Sequence, residues 1–170
     1  TAITSNNGGQ GFVIKSPINI RKLISKNNGG YGVLFDSSVN GAADESKVDY
    51  IEADANVDVG VHLSDAKNIT SKRVRATNTT GLGYGVYYNN SSLLNIDSVE
   101  ASGNVQGVRM INAVNVFSRF YNLHDNQNGI SHSGCSGFYI DYLKFLNNSV
   151  SNYNIALTTI TGYSGVEITT

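Results

Sequence analysis

His62, Tyr87 and Arg109 are reactive or ligand-binding side chains set at matching positions, since each follows a glycine and a valine in Gly60-Val61-His62, Gly85-Val86-Tyr87 and Gly107-Val108-Arg109. An imidazole, a phenol and a guanidinium on one line offer a ring for stacking and a cation for a carboxylate. Four residues after each glycine stand Ser64 and Asn89, with Asp36 at the same place one copy earlier, and Asp65, Asn90 and Asn112 open the turns that follow. Amides suit hydroxyl groups, so a sugar polymer would find its contacts here. Two reactions are conceivable. Hydrolysis of a glycosidic bond needs two carboxyl groups, about 5–5.5 Å apart for retention and about 6.5–9.5 Å for inversion, and Asp36 with Asp65 could supply them. Elimination beside a uronate needs a base and a cation, for which His62 or Tyr87 would serve with Arg109. Asp36, Asp65 and His62 are therefore the catalytic candidates, and Tyr87, Arg109 and Asn89 the substrate-binding ones. The bland alternative is that all six are solvated positions of a sheet.

What must position them is a repeat. A glycine followed by an aliphatic or aromatic residue returns at Gly11, Gly32, Gly60, Gly85, Gly107 and Gly129, and Asn154-Ile155 extends the series. The first strand of each copy places Phe12, Val33, Val61, Val86, Val108, Ile130 and Ile155 inward. Val13, Leu34, His62, Tyr87, Arg109, Ser131 and Ala156 then point outward. A second apolar pair follows, such as Ile18/Ile20, Leu94/Ile96, Val114/Val116, Phe138/Ile140 and Val166/Ile168. A third pair is Leu23/Ser25, Ile51/Ala53, Val74/Ala76, Val99/Ala101, Tyr121/Leu123 or Leu143/Phe145, and it closes on Asn28, Asn56, Asn78, Asn104, Asn126 and Asn148. The apolar period within every segment is two, which signifies strands. With no helical stretch long enough to cover a sheet, the spacing predicts an all-β, right-handed parallel β-helix of about seven coils, each with three short strands. Corner asparagines can bond their copies in the next coil.

The chain reads as one domain spanning residues 1–170. Its net charge of −1 and scattered Lys and Arg exclude the basic footprint of a nucleic-acid binder. Apolar runs are too short for membrane insertion. The first residues copy the third strand of a coil, and the last complete only a second strand. The sequence is therefore expected to be a segment of a longer chain, or to have its ends covered by partner chains.

Asparagines shortly before a glycine and alternating apolar residues, as in Asn27-Asn-Gly-Gly-Tyr-Gly running to Phe35 and Asn126-Gln-Asn-Gly running to His132, resemble the repeat of right-handed parallel β-helix proteins of the pectin-lyase-like superfamily. Low proline, abundant Asn, Ser, Gly and Tyr, and no disulfides look most like a bacteriophage tailspike or polysaccharide depolymerase. That resemblance implies a homotrimer located on the virion tail, or an extracellular protein, which binds and often cleaves bacterial surface polysaccharide as a glycoside hydrolase or lyase. No cofactor is implied. The alternative is a non-catalytic stalk or adhesin module.

A second outward column runs through Ile24, Glu52, Arg75, Glu100, Asn122 and Lys144, whose alternating signs predict ion pairs between coils. Beside it Tyr50, Arg73, Phe120 and Tyr142 face out and suggest a subunit interface. His124, Asp125, His132 and Cys135 match no metal spacing, and Gly81-Leu-Gly-Tyr-Gly lacks the helix that a phosphate loop needs.

Overall fold

The computed structural model describes the backbone of residues 1–156 and 159–169 and the side chains up to residue 152. The chain runs β1 (Ala2–Ser5), β2 (Phe12–Ile14), β3 (Asn19–Lys26), β4 (Val33–Asp36) and β5 (Lys47–Asp54). It continues through β6 (Val59–Ser64), β7 (Thr70–Thr77), β8 (Tyr84–Asn89), β9 (Ser92–Ser102) and β10 (Gln106–Ile111). The last described elements are β11 (Val114–His124), β12 (Asn128–Ser133), β13 (Ser136–Leu146), β14 (Ser151–Ala156) and β15 (Thr159–Thr169). Odd-numbered strands pair in parallel, each with the next, as an eight-stranded sheet; even-numbered strands do the same as a seven-stranded sheet. The result is a parallel β-solenoid of about seven turns, consistent with a right-handed parallel β-helix.

Three expected segments per coil occupy two strands. In β9 the buried residues are Leu94 and Ile96, then Val99 and Ala101, so the alternation slips by one residue at Asp97 and Ser98. The second and third segments therefore join across a bend, where two successive residues face away from the core. Because the pairing resumes at Ser98 and Phe120, the sheet turns the corner without losing its ladder. Val114 departs from expectation: it is 37% exposed while Val116 is buried.

The core is a set of columns. Val33, Val61, Val86, Val108 and Ile130 stack with no exposure, and Val74, Val99, Tyr121 and Leu143 face them from the longer sheet. Each such side chain contributes roughly 1.5–3 kcal/mol through burial. The last coil is registered differently from the sequence expectation. Tyr153, not Ile155, pairs with Ile130, and Ile155 pairs with His132, so the copy of Gly129 is Asn152. The side chains of Ile155, Ala156, Val166, Glu167 and Ile168 lie outside the described residues.

The repeated glycine follows from contact between coils. A Cβ on Gly32 would lie 2.5 Å from the Gly60 carbonyl oxygen, one on Gly85 would lie 2.6 Å from that of Gly107, and Gly60 and Gly107 stand likewise. Beside this column runs the asparagine ladder. Asn28 Nδ2 donates to Asn56 Oδ1 at 3.0 Å, Asn104 to Asn126 at 3.1 Å and Asn126 to Asn148 at 3.2 Å. Asn78 is not in it. That residue takes φ 55° in the turn and donates to Asp54, and Thr79 occupies the rung. The hydroxyl of Thr79 is buried without a partner.

Candidate functional site

The outer face of the seven-stranded sheet carries the expected column. Leu34, His62, Tyr87, Arg109 and Ser131 are ladder partners on β4, β6, β8, β10 and β12. The next outward column is Asp36, Ser64, Asn89, Ile111 and Ser133. His62, Tyr87 and Arg109 thus meet on consecutive coils, because strand pairing sets equivalent positions about 4.8 Å apart.

His62 is the most covered of them. Although it points away from the core, only 9% of it is exposed. The Tyr87 ring stacks on it at 4.6 Å, and Tyr31 lies tilted against it at 5.2 Å. Both ring nitrogens are buried with no hydrogen-bond partner among the described residues. Desolvation pushes the His62 pKa down to about 4, against the opposing pull of Asp65 and Asp36. The imidazole is therefore neutral near pH 7.

The two carboxylates stand at unequal positions. Asp36 pairs with Ser64 in the ladder, whereas Asp65 lies one residue beyond Ser64, in a turn with φ 55°. Asp36 accepts hydrogen bonds from the Ser38 hydroxyl at 2.5 Å and the Ser38 N–H at 3.1 Å, and Lys15 lies 3.5 Å away. The Ser38 bonds, with the smaller help of Lys15, hold its carboxyl below the usual range. Asp65 accepts from the Ser64 hydroxyl at 3.0 Å and the Asn90 amide at 3.3 Å. A glycosidase acid must keep its proton near neutral pH, which burial usually arranges. Asp36 has the opposite environment.

Three flanking residues escaped the sequence reading. Tyr31, Tyr84 and Gln106 each stand directly before a repeat glycine, a shared offset that could have marked them. Tyr84 meets Tyr87 edge-on at 5.4 Å, and the Arg109 guanidinium lies over the Tyr84 ring at 5.1 Å. Gln106 Oε1 accepts from Arg109 at 3.3 Å and from the Ser131 hydroxyl at 2.9 Å. Burial raises the Tyr87 pKa, with Arg109 pulling the other way, so the phenol stays protonated. The side-chain amide of Asn89 makes no hydrogen bond among the described residues and sits at the edge of this face. Chemically, the assembly is a set of ring faces and edges bordered by hydrogen-bond donors, one of them a guanidinium.

The longer sheet presents a different surface. Arg75 lies 3.2 Å from Glu100 and 3.9 Å from Glu52, as the alternating charges predicted, and Lys26, outside that column, lies 2.7 Å from Glu52. Tyr50 is flanked by the Lys22 ammonium at 4.6 Å and the Arg73 guanidinium at 5.9 Å. Phe120 stacks on Tyr142, and Phe117 on Tyr139 at 5.1 Å; the latter pair, 42% and 38% exposed, was not anticipated. Its signal was the one-coil spacing of two aromatics. Between these columns Arg119 pairs with Asp97.

His124 pairs with its neighbour Asp125 at 2.7 Å, and Cys135 is buried with its thiol donating to the Ser133 carbonyl. Among the described residues no group of three or more His, Cys, Asp or Glu side chains could hold a metal ion. No helix there is long and apolar enough to cross a membrane. Comparison with family models, curated proteins and solved structures found no match for this chain.

Proposed function

We propose that this chain is the carbohydrate-binding part of a tailspike-like receptor-binding protein, laying bacterial surface polysaccharide along the outer face of the seven-stranded sheet. The observation that carries this reading is the run of rings Tyr31, His62, Tyr87 and Tyr84 with Arg109 over the last, which places aromatic surface beside hydrogen-bond donors at coil spacing. Rings of that kind stack on the apolar faces of sugars, while amides and a guanidinium bond their substituents. The likeness of the repeat to pectin-lyase-like β-helices, and to tailspikes in particular, supports a phage-borne or extracellular setting and a homotrimer. In that assembly the aromatic strip of the longer sheet would be the subunit contact.

Binding without cleavage is the chemistry the residues favour. His62 is neutral and walled in, Asp36 is held ionised, and Asp65 is tied to Ser64 and Asn90. Incubation with a panel of bacterial capsules and O-antigens tests this. Product is followed as reducing ends for hydrolysis and as ultraviolet absorbance of unsaturated uronate for elimination. At least one polysaccharide is expected to bind, with no product, and Tyr87→Ala combined with Arg109→Ala to abolish binding. Cleavage of any of them would restore Asp36, Asp65 and His62 as catalytic groups; an absence of all binding leaves a spacer stalk.

A further inference from the structure

A recess of about 170 Å³ opens beside Arg109, lined by Gln106, Arg109, Ser131 and Ser133 among others. Enclosed small-molecule sites usually measure roughly 300–1,000 Å³, so this one suits a substituent rather than a whole sugar ring. Two donors converge at its mouth. Arg109 Nη1 and the Ser131 hydroxyl both reach Gln106 Oε1, at 3.3 and 2.9 Å. Since a guanidinium can only donate, Gln106 must turn its oxygen toward Arg109, which leaves its amide nitrogen as a further donor.

No carboxylate among the described residues pairs with this cation. Arg73, Arg75 and Arg119 each meet a carboxylate within 4 Å, whereas the partners of Arg109 among the described residues are the Gln106 amide, the Tyr87 hydroxyl and the Tyr84 ring, all uncharged. A planar guanidinium and a hydroxyl that converge on one oxygen position, with an amide N–H donor next to it, match a carboxylate, whose two oxygens accept in one plane.

We propose that this recess binds a carboxylate of an acidic glycan, with the adjoining sugar ring resting against Tyr87. The proposal rests on the glycan-binding role set out above and adds the class of sugar. One carboxylate oxygen takes the place that Gln106 Oε1 fills in the free protein, between Arg109 and Ser131, and the other accepts from the released Gln106 amide.

Uronate-bearing hexasaccharides and the same hexasaccharides after reduction of the carboxyl to a primary alcohol provide the test, by calorimetric titration against the whole chain. Reduction is expected to weaken binding about tenfold or more, the usual size of a lost hydrogen bond to a charged group. Arg109→Gln should lose a similar factor for the acidic form and little for the reduced one. Arg109→Lys should recover only part, and added salt should weaken the acidic form alone. Equal affinity of the unaltered protein for both forms overturns the carboxylate assignment while leaving the glycan reading standing. Tighter binding of sulfated than of carboxylated hexasaccharides also overturns it. If neither form binds, the glycan reading itself fails and the recess proposal with it.

Discussion

The His62 imidazole and the Tyr87 ring of the next coil lie 4.6 Å apart between centroids, with planes 11° from parallel. Tyr31 closes the other side, so an outward-pointing histidine is sealed beneath two tyrosines and contributes to packing rather than to proton transfer.

That seal predicts a pH dependence. The folded pKa of about 4 lies below the ordinary value of 6.5, so the unfolded chain binds the proton more readily. Stability from this group is complete above about pH 6.5, declines as the pH falls and levels off below about 4. Between pH 7.5 and pH 5 the loss should be about 2 kcal/mol. Burial of His132 lowers its pKa too and adds to the decline in the same direction. Urea unfolding at both pH values checks this, and His62→Phe should remove most of the difference. An unchanged difference in that variant would contradict the account.

Thr79 interrupts the asparagine ladder. Asn28 has its acceptor in Asn56, and Asn104 in Asn126, but no side-chain amide oxygen stands at position 79 to receive the Asn56 N–H groups. Thr79→Asn should complete the ladder and also relieve the unpartnered hydroxyl, adding about 1 kcal/mol of stability. Denaturant midpoints of the two proteins decide it; a lower midpoint for the variant would refute the rung assignment.

Leu93 holds φ 53°, a left-handed conformation that the equivalent positions of neighbouring coils give to Asn68, Asn115 and Gly137. A leucine there costs roughly 1–2 kcal/mol in backbone strain, and its side chain is 43% exposed, so little burial offsets that cost. Leu93→Asn is expected to raise the melting temperature by several degrees. Thermal unfolding followed by circular dichroism measures the shift, and a decrease would mean that Leu93 packs against something that asparagine cannot replace.

Gly85 meets a different constraint, since its φ is not in the left-handed range. The first atom of any side chain would sit 2.6 Å from the Gly107 carbonyl oxygen, and backbone on the next coil has little room to yield. Gly85→Ala should cost roughly 2–3 kcal/mol, comparable with an overpacked core. Exposed Gly8, with nothing within 4 Å of a built Cβ, provides the contrast: Gly8→Ala should be nearly neutral. Equal losses at both sites would remove the coil-contact explanation.

Much of the arrangement was legible in the spacing. The columns Leu34–His62–Tyr87–Arg109–Ser131 and Glu52–Arg75–Glu100 could be written down because each glycine marks the same point of a coil, and counting from it gives the register. Where that marker was missing, counting failed. In the last coil Asn152 stands in for glycine, and the count fell on Asn154 instead. Asn78 attracted the ladder assignment by its residue type, although the rung lies one residue later at Thr79. Tyr31, Tyr84 and Gln106 were invisible as site residues because they stand just before the repeat glycine, where the inward–outward alternation slips by one residue and a two-residue count gives the wrong face.

Parallel stacking, and which residues lie above one another wherever a glycine marks the coil, can be read from the spacing alone, since in a solenoid each coil contacts only its neighbours and like positions repeat at a readable interval. How much water each outward side chain keeps emerges only once the coils are folded against one another. The burial of His62, the fusion of two segments at the Asp97–Ser98 bend, and the open recess at Arg109 depend on what the coils before and after place beside them. Exposure and charge environment are set by those flanking groups together, and no single repeat carries that information.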